Sequence, residues 1–89
     1  MTTYQNERLT LAQMRTGLTG TVVEVMGGHG LIRRLDALGI RPGKKVTKLS
    51  SALFHGPVTL KVDSAQVAVG FGIAKKIIVE LDKYLPRAS

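Results

Sequence analysis

Cysteine is absent from this 89-residue sequence, aromatic residues make up only 4% of it, and it has no long apolar run. The lack of cysteine excludes disulfides, thiolate metal sites, iron–sulfur clusters and thiol catalysis. The few aromatic rings give single-stranded nucleic acid little to stack on. No stretch approaches the roughly 20 apolar residues that span a bilayer, and residues 1–8 are polar, so we expect a cytoplasmic protein without a signal peptide.

Positive charge is what the sequence has in excess, with 13 Lys and Arg against 6 Asp and Glu and a formal net charge of +7. Long-range attraction would concentrate acidic partners around such a chain, whether nucleic acid, an anionic membrane surface or an acidic protein. The hydrophobic fraction of 44% is ordinary for a globular domain. A chain of this length buries only about 60% of its unfolded surface, so we expect one domain with one modest core.

Alternating apolar residues and frequent turn residues predict a mostly β fold. The clearest alternation places Val58, Leu60 and Val62 on one face of a strand. Val46 and Leu49 break such alternation, which indicates a β-bulge in their strand. Several short strands in so short a chain favour a small closed or nearly closed barrel over a sandwich. The five expected strands cover residues 21–26, 44–51, 58–62, 66–69 and 77–81.

One short helix is predicted between the first and second of these strands. Leucine and isoleucine residues over residues 31–38 have the spacing of an amphipathic helix, and Gly39 stands where a helix C-cap favours glycine. Thr10 and Gln13 have the spacing of a capping box, which predicts a further helical turn ahead of the first strand. The predicted fold is therefore a five-stranded barrel with one short helix.

Three stretches of the chain resemble the FeoA domain family. They are residues 34–43 (RLDALGIRPG), 56–58 (GPV) and 69–79 (VGFGIAKKIIV). Each stretch alone is ordinary turn and strand chemistry, whereas their order and spacing make the combination specific. The sequence departs from the family at Phe71, where a polar or basic residue is expected between the two glycines.

The resemblance implies an SH3-like barrel over residues 9–82, with frayed tails at residues 1–8 and 83–89. It also implies a non-enzymatic accessory role in bacterial ferrous iron uptake, through binding to FeoB, a membrane permease with a cytosolic GTPase domain. Such a protein would be cytoplasmic and could lie at the inner membrane through its partner. Because no helix-turn-helix precedes the barrel, the chain is similar to the free-standing members of the family.

A set of basic side chains is the candidate partner-binding site. The set runs from the predicted helix into the second strand, and it could dock onto an acidic protein surface or an anionic membrane. The alternative is a solvated face that serves only solubility. Among large apolar residues in loops, we favour a partner contact for Phe71 and a core plug for Leu53. The basic set comprises Arg33, Arg34, Arg41, Lys44, Lys45 and Lys48.

Catalysis and metal binding find little support in the residues. No acid–base pair or nucleophile arrangement stands out, so we predict a non-enzyme. His29 and His55 are the only histidines, and a structural zinc usually takes four protein ligands. We therefore favour loop histidines over a site for ferrous iron or another divalent metal. The alternatives left open are a small basic nucleic-acid-binding β-barrel, a metal-sensing barrel and a homodimer paired through edge strands.

Overall fold

Six β-strands and two short helices form the part of the chain that the computed structural model describes, residues 4–51 and 54–84. The strands are β1 (Tyr4–Thr10), β2 (Thr19–Val25), β3 (Lys45–Ser51), β4 (Val58–Val62), β5 (Ala65–Val69) and β6 (Ile77–Tyr84). The helices are α1 (His29–Ala37), between β2 and β3, and α2 (Phe71–Ala74), between β5 and β6.

The strands make one antiparallel sheet in the order β1-β6-β2-β3-β4-β5. Strand β6 lies between β1 and β2, so the first and last strands of the described chain are neighbours. Strand β5 ends the order on the other side. The predicted mostly β, SH3-like fold class is confirmed, with a sheet that is open rather than closed.

Alternating side chains of the sheet build the core, as in β4, whose first, third and fifth residues are buried. Leu11 and Met14, from the turn after β1, are buried too, so this turn packs onto the sheet. Helix α1 contributes Leu35 and α2 contributes Ala74. The other buried apolar side chains outside β4 are Val22, Ile40, Val46, Val69, Ile77, Val79 and Leu81.

Two local predictions about the strands are confirmed. The register of β3 against β4 shifts between Lys48 and Ser50, which is the predicted bulge. Asp63 and Ser64 form the connection between β4 and β5, and Asp63 has a φ of 57°. Two-residue hairpin loops need such positive φ angles because their twist then matches that of the strands.

The structure differs from the sequence prediction at the two ends and after β5. Residues 4–8, expected to be frayed, belong to β1, which pairs with β6 from Tyr4 to Thr10. A polar segment can form such an edge strand because backbone hydrogen bonds hold it, whatever its side chains. Strand β6 likewise continues to Tyr84, and a short helix, α2, replaces the loop predicted at residues 70–72. The tail residues 1–3 and 85–89 lie outside the described residues.

The end of helix α1 is followed by a glycine cap at Gly39, as predicted. Gly39 has a φ of +89°, and its N–H donates to the Asp36 carbonyl at 2.9 Å while the Ile40 N–H donates to the Leu35 carbonyl at 2.8 Å. This pair of bonds is a Schellman motif, which requires a left-handed residue after the helix. A Cβ at position 39 would also lie 3.1 Å from Cγ1 of Val62.

Gly39→Ala should therefore lower the free energy of unfolding by about 1 to 2 kcal/mol, because alanine disfavours the left-handed conformation. Gly30→Ala is the matched control. Gly30 lies inside α1, with no atom within 4 Å of an added Cβ, so this change should raise stability by about 0.5 to 1 kcal/mol. Urea unfolding of both variants measures the difference, and equal stabilities would contradict this account of the helix end.

Candidate partner-binding site

The predicted basic set does not form one continuous patch of free cations. Arg41 bonds the Asp36 carboxylate at 3.2 Å, and Lys44 lies 2.7 Å from the Asp63 carboxylate in the β4–β5 turn. Arg33 and Arg34 on α1 and Lys45 at the start of β3 are exposed and have no ion pair among the described residues. These three keep their charge available to a partner.

Lys48 was wrongly assigned to the basic surface, because its side chain points into the core. Only 3% of it is exposed, and its Nζ donates to the carbonyls of Leu11 at 2.9 Å, Ala12 at 3.2 Å and Met14 at 2.6 Å. Burial away from water lowers the pKa of the Lys48 ammonium. Three acceptors match the three N–H donors of an ammonium group, so the buried charge is satisfied.

The turn that Lys48 holds is the predicted helical turn after β1. The Thr10 N–H donates to Oε1 of Gln13 at 3.0 Å, and the Gln13 N–H donates to Oγ1 of Thr10 at 3.1 Å. These reciprocal bonds confirm the capping box. Side-chain bonds therefore fix the start of the turn, and Lys48 binds the carbonyls at its end.

An open groove lies beside this turn, and we call it the aromatic groove. The imidazole of His55 stacks on the ring of Phe71, with ring centroids 4.4 Å apart and planes 15° apart. Nζ of Lys75 lies 5.7 Å from the centroid of Phe71, within the range of a cation–π contact. The groove has a volume of about 460 Å³ and is lined by Thr10, Ala12, Gln13, His55, Phe71 and Lys75.

Phe71, predicted as a partner contact, is thus half-buried and forms one wall of the aromatic groove. Its neighbour in space, His55, has a φ of 62°, and Phe54 has a φ of 55° with 95% of its surface exposed. Two consecutive left-handed residues without glycine are uncommon and cost energy. Leu53, the predicted core plug, lies outside the described residues.

The histidines do not come together in a metal-binding cluster. His29 is the exposed first residue of α1, whereas His55 lies in the aromatic groove. Across residues 4–51 and 54–84, no group of three or more histidine or acidic side chains could hold a metal ion. No helix within the same residues is both long enough and apolar enough to cross a bilayer.

Sequence reasoning missed three parts of this site. It did not connect Lys75 with Phe71, although their spacing of four residues would bring them together on any helical turn. It placed His55 in a loop without a partner, and nothing in the sequence indicates that this loop reaches Phe71. It also found the capping box without linking it to a surface groove.

The described residues form a small SH3-like β domain with exposed cations and the aromatic groove. The FeoA domain family model matches residues 9–81. The chain therefore belongs to the FeoA domain family, as its resemblance indicated.

Two similar proteins are about one third identical to this chain. A curated protein of Methanocaldococcus jannaschii, described as "Putative Fe(2+) transport protein A", is 32% identical over 74 residues, covering 83% of this chain and 88% of its own. A crystal structure described as an iron uptake regulatory protein (FeoA) is 32% identical, with a TM-score of 0.76 and coverage of 84% of this chain and 99% of its own.

The same fold occurs as part of a larger protein. A manganese-dependent transcriptional repressor is 26% identical, with a TM-score of 0.77. The match covers 89% of this chain but only 44% of the repressor. This fold therefore makes up almost all of the similar FeoA crystal structure and less than half of the repressor.

Proposed function

We propose that this protein is a non-enzymatic accessory protein of bacterial ferrous iron uptake that acts in the cytoplasm by binding a FeoB-type permease. The family match over residues 9–81 is the observation that carries this proposal. The description of the similar M. jannaschii protein as an Fe(2+) transport protein supports the same process. The cytosolic GTPase domain of the permease is the partner surface in this proposal, and binding there would hold the protein beside the inner membrane.

The contact surface in this proposal consists of the exposed cations together with Phe71. Arg33 and Arg34 lie next to each other on α1 and have no ion pair in the described residues. Such charges raise the encounter rate with an acidic surface more than they raise affinity. Arg41 and Lys44 take a secondary part, since each is already paired with a carboxylate.

Titration of the purified protein against the soluble GTPase domain of the matching permease tests the proposal. We expect saturable binding that weakens as salt rises, because the charges are screened. A random single-stranded RNA and vesicles of anionic lipid are titrated in the same way as alternative partners. Salt-sensitive binding to the RNA without binding to the GTPase domain would instead favour the nucleic-acid-binding alternative.

Reversal of charge on α1 should separate docking from general electrostatics. The double variant Arg33→Glu/Arg34→Glu should bind the GTPase domain about tenfold more weakly at low salt, mainly through slower association. The control is Arg15→Glu/Lys76→Glu, which changes net charge equally at two exposed positions outside α1. Equal loss of binding in both double variants would mean that net charge alone, and no docking surface on α1, drives association.

A further inference from the structure

Strand β5 exposes an unprotected edge of the sheet. It is the terminal strand of the order, paired with β4 on one side. No strand among the described residues pairs with its other side. Its sequence, Ala-Gln-Val-Ala-Val, contains neither charge nor proline. Proteins usually protect such edges with charged residues, proline or bulges, because an open edge recruits another strand.

The pairing with β4 determines which backbone groups of β5 are available. Because Asp63 and Ser64 form a two-residue hairpin loop, Val62 and Ala65 are the hydrogen-bonded pair next to it. Hydrogen-bonded and non-bonded pairs alternate along an antiparallel ladder. The N–H and C=O groups of Gln66 and Ala68 therefore point away from β4, toward the open edge.

The opposite edge of the sheet is different. Strand β1 carries Glu7 and Arg8, and Arg8 is paired with Glu80 of the neighbouring β6 at 3.5 Å. Charged side chains on an edge strand discourage the addition of another strand. Of the two terminal strands, only β5 lacks this protection within the described residues.

Basic side chains accompany the β5 edge. Lys61 of β4 is exposed and stands directly opposite Gln66. The chain enters α2 immediately after β5, through Gly70, so the aromatic groove with Phe71 and Lys75 follows the end of the strand. The carboxylate of Asp63, in the turn before β5, is already paired with Lys44 at 2.7 Å. Lys61 and Lys75 thus lie in the segments next to β5 in the sheet and along the chain, and the acid nearest to its start is already neutralised.

We propose that β5 binds an extended, acidic segment of the protein partner as an added strand. The backbone of the segment pairs with Gln66 and Ala68, and its acidic side chains lie near Lys61 and Lys75. Main-chain hydrogen bonds supply affinity in this mode of recognition, and side-chain contacts supply specificity. This inference rests on the proposed function, in which the partner is the FeoB-type permease.

A second copy of the chain is a less suitable occupant for the same edge. Each copy carries a net charge of +7, so two copies repel each other at long range. Pairing of β5 with its symmetry mate would also place the Lys61 side chains of the two copies on the β4 strands that flank the β5–β5 pair. Charge complementarity therefore favours an acidic segment.

Short synthetic peptides that tile the cytosolic segments of the matching permease are the probes. Acidic peptides should bind and basic ones should not, as measured by calorimetry. In the saturated complex, the amide protons of Gln66 and Ala68 should exchange with solvent at least about tenfold more slowly, because strand pairing protects them. Amide exchange in the intact wild-type protein needs no variant and so cannot be confused with misfolding.

Two substitutions at one position test the backbone contact. Ala68→Pro removes the outward N–H, and it leaves the ladder with β4 intact because Ala68 is in a non-bonded pair. We expect this variant to bind the acidic peptide about tenfold more weakly, because it has lost one good hydrogen bond. Ala68→Thr, which keeps the N–H at the same exposed position, should bind like the wild type.

The outcomes distinguish this inference from the proposed function. Binding of the GTPase domain without protection of Gln66 and Ala68 would overturn strand addition and leave the accessory role standing. Absence of binding to both the peptides and the GTPase domain would overturn both. In the absence of peptide, amide protection of Gln66 and Ala68 that rises with protein concentration, together with a dimer in sedimentation, would show that a second copy occupies the edge instead.

Discussion

Lys48→Met should lower the free energy of unfolding by about 3 kcal/mol, which corresponds to a fall in Tm of about 15 °C for a domain of this size. Methionine fills similar space but cannot donate to the carbonyls of Leu11, Ala12 and Met14 that the ammonium now bonds. Removal of the ammonium leaves these buried carbonyls without a donor, and an unsatisfied buried acceptor costs more than its hydrogen bond contributed. The loss exceeds the relief from no longer burying a charge.

Lys45→Met is the matched control, since Lys45 is exposed on the same strand. It should change stability by no more than about 0.5 kcal/mol. Thermal unfolding followed by circular dichroism measures both variants. If Lys48→Met were as stable as Lys45→Met, the buried ammonium would not be holding the turn beside the aromatic groove.

Gly20→Val should lower the free energy of unfolding by about 2 kcal/mol, through overpacking between β2 and β6. An added Cβ would lie 3.2 Å from the Glu80 carbonyl oxygen and 3.2 Å from Cδ2 of Leu81. The carbonyl belongs to the paired backbone and cannot move without distorting β6. The two further methyl groups of valine have still less room at this buried position.

Gly70→Val provides the comparison for this second change. Gly70 has extended backbone angles, φ −65° and ψ 156°, and an added Cβ meets no atom within 4 Å. The free energy of unfolding of Gly70→Val should differ from the wild type by less than about 1 kcal/mol. Urea unfolding midpoints report both values. A Gly20→Val protein with wild-type stability would mean that β2 and β6 are less tightly packed than the structure indicates.

Much of the fold follows from local sequence signals. Three features each depend on a few adjacent residues: the glycine cap at Gly39 after α1, the β4–β5 hairpin and the bulge after Lys48. Strand β1 could not be predicted in this way, because its polar sequence carries no apolar alternation and its partner β6 lies about 70 residues further along the chain. Backbone pairing with a distant strand does not require an alternation of apolar residues in the local sequence.

The error at Lys48 has a different cause. Alternation along β3 places Lys48 on the same face as the buried Val46, so a strict reading of the period predicts an inward side chain. The charge of Lys48 nevertheless favours exposure, because lysine is rarely buried without a partner. The partners are carbonyls 34 to 37 residues earlier in the chain, and no sequence pattern reveals them.

The candidate site was predictable only in part. The sequence singles out Phe71 and the arginines of α1 as candidates, because an unusual residue in a family motif and a cluster of charges can each be recognised without knowledge of the fold. It could not separate free cations from those already paired with Asp36 and Asp63. It also could not predict that one terminal strand of the sheet would lack charged protection, since which strands are terminal depends on the whole topology.

The position of β6 between β1 and β2 determines the order in which the protein can fold as it is synthesised. Both β1 and β2 are synthesised before β6, and until β6 appears β1 has no partner among the described strands and β2 pairs with β3 alone. The hairpin of β4 and β5 can pair early, because its contacts are local. The nascent chain can therefore complete its sheet only after β6 has been synthesised and has paired with both β1 and β2.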